Sequence, residues 1–162
     1  MTDAWPDSVE RVARYLREAT VEGRVEEFSE GTPTAEDAAR AAGCALGQIV
    51  KSLVFLCDRR PVLVMVPGDR RADSAKVAAA AGCEQAKIAS AEDVVKATGF
   101  DPGAVAPFPL PSIEGSYVDH ALLVHDVVWV GAGTSRHMAA LAPGDLVRLT
   151  RARAIDAVMQ NA

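Results

Sequence analysis

The chain has 162 residues, 49% hydrophobic and 24% charged. This composition excludes an intrinsically disordered chain and suits a folded unit of ordinary size. Its 17 Lys and Arg against 22 Asp and Glu give a net charge of −5. That argues against a protein that wraps duplex nucleic acid by neutralising phosphates, but not against one that grips only the end of a strand.

The opening Met1-Thr-Asp-Ala-Trp-Pro-Asp has no basic or apolar leader, so a cytoplasmic location is expected. After Pro6, Val9, Val12, Ala13 and Leu16 recur at helical spacing, with Asp7 or Ser8 available as cap. Arg24 to Phe28 reads as a short strand. Thr34, with Asp37 three residues on, caps a helix that runs through Ala42 and stops at Gly43. Ile49 to Cys57 and Pro61 to Val66, on either side of Asp58-Arg-Arg60, read as a largely buried hairpin. The three cysteines, Cys44, Cys57 and Cys83, are widely spaced with no C-x-x-C. Neither a disulfide framework nor a zinc site is expected, and Cys57 reads as a small buried thiol.

An alanine-rich helix is predicted from Asp73 to Ala81, a strand at Lys87-Ile-Ala, and a helix capped by Ser90 that ends at Gly99. Phe100 to Gly115 holds four prolines and two glycines in sixteen residues, too many for regular structure. Tyr117–Val124 and Val127–Val130 read as strands joined at His125-Asp126. A loop at Gly131–Ser135, a strand at Met138–Leu141 and a short helix from Pro143 follow. No apolar run approaches the roughly 18 residues of a membrane span. One α+β domain over residues 1–162 is expected.

Lys51 lies at the head of an apolar run, where its ammonium either reaches solvent at the strand end or pairs with an anion such as a phosphate. In Gly99-Phe-Asp-Pro-Gly-Ala-Val-Ala-Pro107, Gly103 lets backbone N–H groups approach a ligand and stabilise an oxyanion; the plainer reading is a Pro-Gly turn. Val128-Trp-Val-Gly-Ala-Gly-Thr-Ser-Arg136 lacks the third glycine of a dinucleotide fingerprint and reads as a loop lining a pocket. There is no G-x-S-x-G elbow and no H-E-x-x-H pair, so neither a hydrolytic triad nor a metal is indicated. Asp119-His120 reads as a polar pair at a strand edge, and His137 as able to hydrogen-bond a bound amine or carbonyl.

The order of these segments is more specific than any one of them. Thr34-Ala-Glu-Asp-Ala-Ala-Arg-Ala-Ala-Gly43, Gln48-Ile-Val-Lys-Ser-Leu-Val-Phe55 and Thr98-Gly-Phe-x-x-Gly-Ala-Val-Ala-Pro-Phe108 come first. Tyr117-Val-Asp119, Val128-Trp-Val-Gly-Ala-Gly133 and Leu141-Ala-Pro-Gly-Asp-Leu146 follow. Together they resemble the YbaK/ProRS-associated editing-domain family over roughly residues 8 to 150.

The resemblance implies an α+β fold whose mixed, mostly antiparallel sheet curls toward a barrel with helices outside. It implies a free-standing aminoacyl-tRNA deacylase that acts on the tRNA 3′ end, with a tRNA for proline as a natural candidate. A synthetase is a possible partner; membranes and duplex DNA are not, and no cofactor or metal is needed. Carried over by position, Lys51 orients the terminal adenosine or its phosphate. Gly103, Ala104 and Val105 hold the ester carbonyl and its oxyanion, and Pro107 stiffens the loop. Gly131, Ala132, Gly133 and Thr134 line the amino-acid pocket, and His137 matches a histidine that contributes in some relatives. By the same resemblance water attacks, with the ribose hydroxyl as base.

Phe28, expected by the resemblance to border the substrate, stands where some members have tyrosine, and Met138 where some have aspartate; both groups can touch the substrate there, so the amino-acid specificity of relatives does not transfer. These departures keep open a non-catalytic binding module on the same fold. Arg59, Arg60, Arg70 and Arg71 form either a basic rim for the acceptor stem or ordinary solvated turns.

Overall fold

A computed structural model describes residues 5–160, so the leader expectation at Met1 to Ala4 falls outside the described residues. Helix α1 (Asp7–Glu18) buries Val9, Val12, Ala13 and Leu16, the stripe read from the sequence. Its N-cap is Pro6, with no side-chain cap: Val9 and Glu10 donate to the Pro6 carbonyl, and neither Asp7 nor Ser8 plays the capping role expected of it. The other starts follow local chemistry. Thr34 caps α2 (Ala35–Ala42), Asp73 caps α3 (Ser74–Ala81) and Ser90 caps α4 (Ala91–Thr98), each side chain accepting from main-chain N–H groups of its helix's first turn. Helix α5 spans Pro143–Thr150 with proline in its first turn.

The strands are β1 (Arg24–Glu27), β2 (Val50–Cys57), β3 (Arg60–Pro67), β4 (Ala86–Ile88), β5 (Ser116–Asp119), β6 (Val128–Gly131), β7 (His137–Leu141) and β8 (Arg153–Ile155). They form two sheets. One is antiparallel with order β1-β7-β6; the other, β4-β2-β3-β5-β8, is antiparallel around β2 and parallel where β5 joins β3 and β8. A bridge between Ile49 and Trp129 links the sheets. The sheets thus curve around a shared core without closing into a barrel. Leu63, Met65, Phe100, Phe108 and Leu122 are among the fully buried side chains there.

Several expectations change. The predicted Tyr117–Val124 strand stops at Asp119, whose carboxylate accepts from Ala121 N–H and opens a 3₁₀ turn over His120–Val124. Strands β5 and β6 therefore belong to different sheets instead of forming a hairpin at His125-Asp126. Strand β8 was not anticipated; it is too short to carry a periodic signal.

Cys57 is not a free thiol but is disulfide-bonded to Cys83, with Cα atoms 5.7 Å apart. The Asp58 carboxylate accepts from the N–H groups of Glu84 and Gln85, which holds the two segments together. Those bonds keep the Asp58 carboxyl below its usual range. The β2–β3 register pairs Cys57 with Arg60 at one end and Val50 with Pro67 at the other. Arg59 and Arg60 thus stand about 23 Å, seven strand steps, from the Arg70-Arg71 end. The four arginines do not make one rim.

Candidate active site

Lys51 is the second residue of β2, at the sheet end where the chain leaves β3. Its half-buried ammonium donates to the carbonyl of Arg70 at 2.5 Å. Burial pushes its pKa below the usual lysine value; nearby Glu36 opposes this, Arg71 adds to it and Asp69 opposes it. One ammonium hydrogen is engaged, leaving two for a ligand.

The loop after α4 brings the second component. Gly103 has φ +84°, in the left-handed region, and a Cβ there would meet nothing within 4 Å, so the glycine is required by backbone and not by crowding. Ala104 N–H donates to the Asp101 carbonyl at 3.0 Å, whereas the N–H groups of Gly103 and Val105 make no hydrogen bond among the described residues. At Gly131 the reason for glycine is contact: a Cβ would lie 2.5 Å from the Val105 carbonyl oxygen. The end of β6 and the Gly103 loop can approach only because that side chain is missing.

The β6–β7 turn supplies the third component. Thr134 Oγ1 lies 2.6 Å from His137 Nδ1 and accepts from Arg136 N–H at 3.0 Å. His137 is 4% exposed. Its Nε2 is 3.3 Å from Glu27 Oε2 but off the line of a hydrogen bond, so the contact is electrostatic and strengthens when the ring is charged. The ring of Trp5 meets the imidazole edge-on at 5.2 Å.

These parts share one cavity of about 230 Å³. Lys51, Gly103, Val105, Gly131, Thr134 and His137 all line it. Met138 and Ala38 contribute apolar wall, and the residues Thr32 to Ala35 close one side. The remaining expected site residues lie elsewhere. Phe28 packs toward Trp129, with ring centroids 5.9 Å apart, and borders a separate surface cavity. Pro107 lines a different cavity. Ala132 is fully buried, and Gly133 is packed on the Ser8 backbone.

Two further residues escaped the sequence reading. Ser52 lines the cavity with a buried hydroxyl that has no partner among the described residues. Its only signal was a hydroxyl inside an apolar strand. Glu27, which meets His137, gave none, because it reads as an ordinary exposed strand residue. Asp119, by contrast, is structural: its two carboxylate oxygens accept from Ala121 and Ala157 N–H groups.

An α+β frame thus brings a lysine, a glycine-turned loop and an imidazole to the wall of one cleft, the kind of concave, partly apolar place where ligands are held. Residues 29–149 match the model of the aminoacyl-tRNA editing domain, and the chain belongs to that family. It is 29% identical over 140 residues to the uncharacterized protein YwhH of Bacillus subtilis, covering 86% of this chain and 88% of that one. It is 27% identical over 124 residues to EbsC of Enterococcus faecalis, named as a candidate Cys-tRNA(Pro)/Cys-tRNA(Cys) deacylase, with 76% of each chain covered. A proline–tRNA ligase of Limosilactobacillus fermentum is 38% identical over 82 residues, 48% of this chain; the match spans 14% of the length of that ligase. Among solved structures, a candidate trans-editing enzyme for prolyl tRNA synthetase superposes with a TM-score of 0.90 at 34% identity, covering 97% of this chain and 100% of that one. No helix among the described residues is long and apolar enough to cross a membrane.

Proposed function

We propose that the chain is an aminoacyl-tRNA deacylase acting in trans, hydrolysing the ester between a wrong amino acid and the 3′-terminal ribose, with a tRNA for proline as the first substrate to test. The observation that carries this reading is that Lys51 and Gly103 line one cavity although they lie far apart in the chain. The family membership, the relative named as a deacylase and the neighbour named as a trans-editing enzyme support it.

An aminoacyl ester is already activated, so its hydrolysis needs position and oxyanion donors more than a protein nucleophile. In this reading the two free hydrogens of the Lys51 ammonium hold the terminal nucleotide. The unengaged N–H groups of Gly103 and Val105 receive the ester oxygen as it gains charge; Ala104, whose N–H is already bonded to Asp101, sets the turn. Thr134 and His137 face the amino group or side chain of the amino acid. The apolar wall at Ala38 and Met138 favours a small uncharged side chain. Water attacks, with a free ribose hydroxyl as base.

A deacylation panel over mischarged tRNAs tests the reading. Turnover of at least one, reduced 10²-fold or more by Lys51→Ala, is the expected result. No turnover of any would overturn the activity, and an unchanged rate in the variant would overturn the mechanism.

A further inference from the structure

A second cavity, about 510 Å³, has Pro107 in its wall. Its lining combines two arginines, Arg11 and Arg151, with Tyr15. The ring is held at both ends: its hydroxyl donates to the Leu149 carbonyl at 3.2 Å, and it stacks on buried Phe108 with centroids 5.6 Å apart. Arg11 is fixed as well, lying 4.2 Å over the Phe100 ring and donating to the Thr98 carbonyl at 3.1 Å. Arg151, just past α5, is exposed and projects from a left-handed residue with φ 56°.

Neither arginine makes an ion pair among the described residues. In a chain with a net charge of −5, two arginines and no carboxylate in the lining of a largely apolar hollow point to an anionic ligand. A prealigned ring beside them adds a flat group to its description. Cation plus aromatic platform is how proteins hold unpaired nucleotides, the phosphate on the guanidinium and the base on the ring.

We propose that this cavity holds the unpaired nucleotides that precede the esterified adenosine. The inference rests on the editing reading, which seats that adenosine in the first cavity. Gly103 lines one cavity and Pro107 the other. Those two residues are separated by no more than about 14 Å of extended chain, a gap that a single strand crosses in a step or two. Asp101 to Gly103, at the head of this stretch, is exposed, whereas Ala104 to Ala106 between the two residues is buried.

The probe is a fluorescein-labelled, non-acylated ribo-oligonucleotide of sequence ACCA, titrated by polarisation at several salt concentrations. Arg151→Gln removes the charge and keeps an unbranched polar side chain at an exposed position, and its melting curve should match the wild type. Binding about fivefold weaker in the variant is expected. Its log–log salt slope should be shallower by about 0.7, the contribution of one phosphate contact on a single strand. Arg151→Lys should restore the slope. Unchanged affinity and slope in Arg151→Gln would overturn the proposal, as would cytidine monophosphate binding as tightly as the oligonucleotide, which means a mononucleotide site. If the wild type hydrolyses no aminoacyl-tRNA yet binds the oligonucleotide through Arg151, the hydrolytic reading falls and the strand site stands.

Discussion

The carbonyl oxygen of Val105 sits 2.5 Å from the point where a Cβ on Gly131 would stand. Backbone from two distant segments thus touches across the wall of the cavity, and the loop that carries Gly103 is braced by the end of β6. Gly131→Ala must push that loop outward, because the obstructing atom is main chain and cannot rotate away. Overpacking of this kind costs about 1–3 kcal/mol, and a displacement of about 1 Å at a reacting centre costs on the order of 10² in rate. Deacylation kinetics with a parallel melting curve measure both; full activity in a stable variant would show that the loop position is immaterial.

Lys51 should trade stability for function. Burial lowers its folded-state pKa below the unfolded value, so the unfolded chain holds the proton more tightly. The penalty is therefore complete below the folded pKa and fades as pH rises to the unfolded one. Lys51→Met should abolish deacylation while melting at or above the wild type at pH 7, and its advantage should narrow as pH rises toward the ordinary lysine range. A variant melting far below the wild type at neutral pH would assign the residue to the fold.

The Cys57–Cys83 pair closes a loop with a sequence separation of 26. Oxidised, denatured protein should titrate one thiol, Cys44, and reduced protein three. Cys83→Ser should lower stability by about 3 kcal/mol relative to the oxidised parent, read by denaturant unfolding. Three thiols before reduction would exclude the bridge.

Asp119→Ala removes the acceptor of two main-chain N–H groups, those of Ala121 and Ala157. Hydrogen bonds to a charged acceptor contribute about 1.5–3 kcal/mol each, so a loss of about 3 kcal/mol is expected in urea unfolding. Deacylation well below the melting temperature should persist. Loss of turnover in a folded variant would give Asp119 a part in the reaction.

Much of the fold was legible because its punctuation is local. A helix cap is satisfied within three or four residues, so Thr34 with Asp37 and Ser90 with Asp93 could be read directly, as could the stops at Gly43, Gly82 and Gly99. The β2–β3 hairpin was equally plain, since two apolar runs flank a two-residue turn in which Asp58 and Arg59 both have positive φ. The run from Tyr117 to Val124 misled because apolar content alone does not separate a strand from a 3₁₀ turn; the Asp119 carboxylate made that choice.

Lys51 announced itself as a charge in an apolar strand, and the Gly103 loop as a break in periodicity. Both are properties of single segments, available from residue type and spacing. That they meet in one cleft, that Phe28 and Pro107 turn to other cavities, that Glu27 reaches His137 and that Cys57 finds Cys83 are pairings between remote stretches. Such pairings follow from which strands share a sheet and which way each side chain leaves the backbone, and a one-residue change of register reverses that direction. Local propensities carry no record of it; the packing of the two sheets around their common core does.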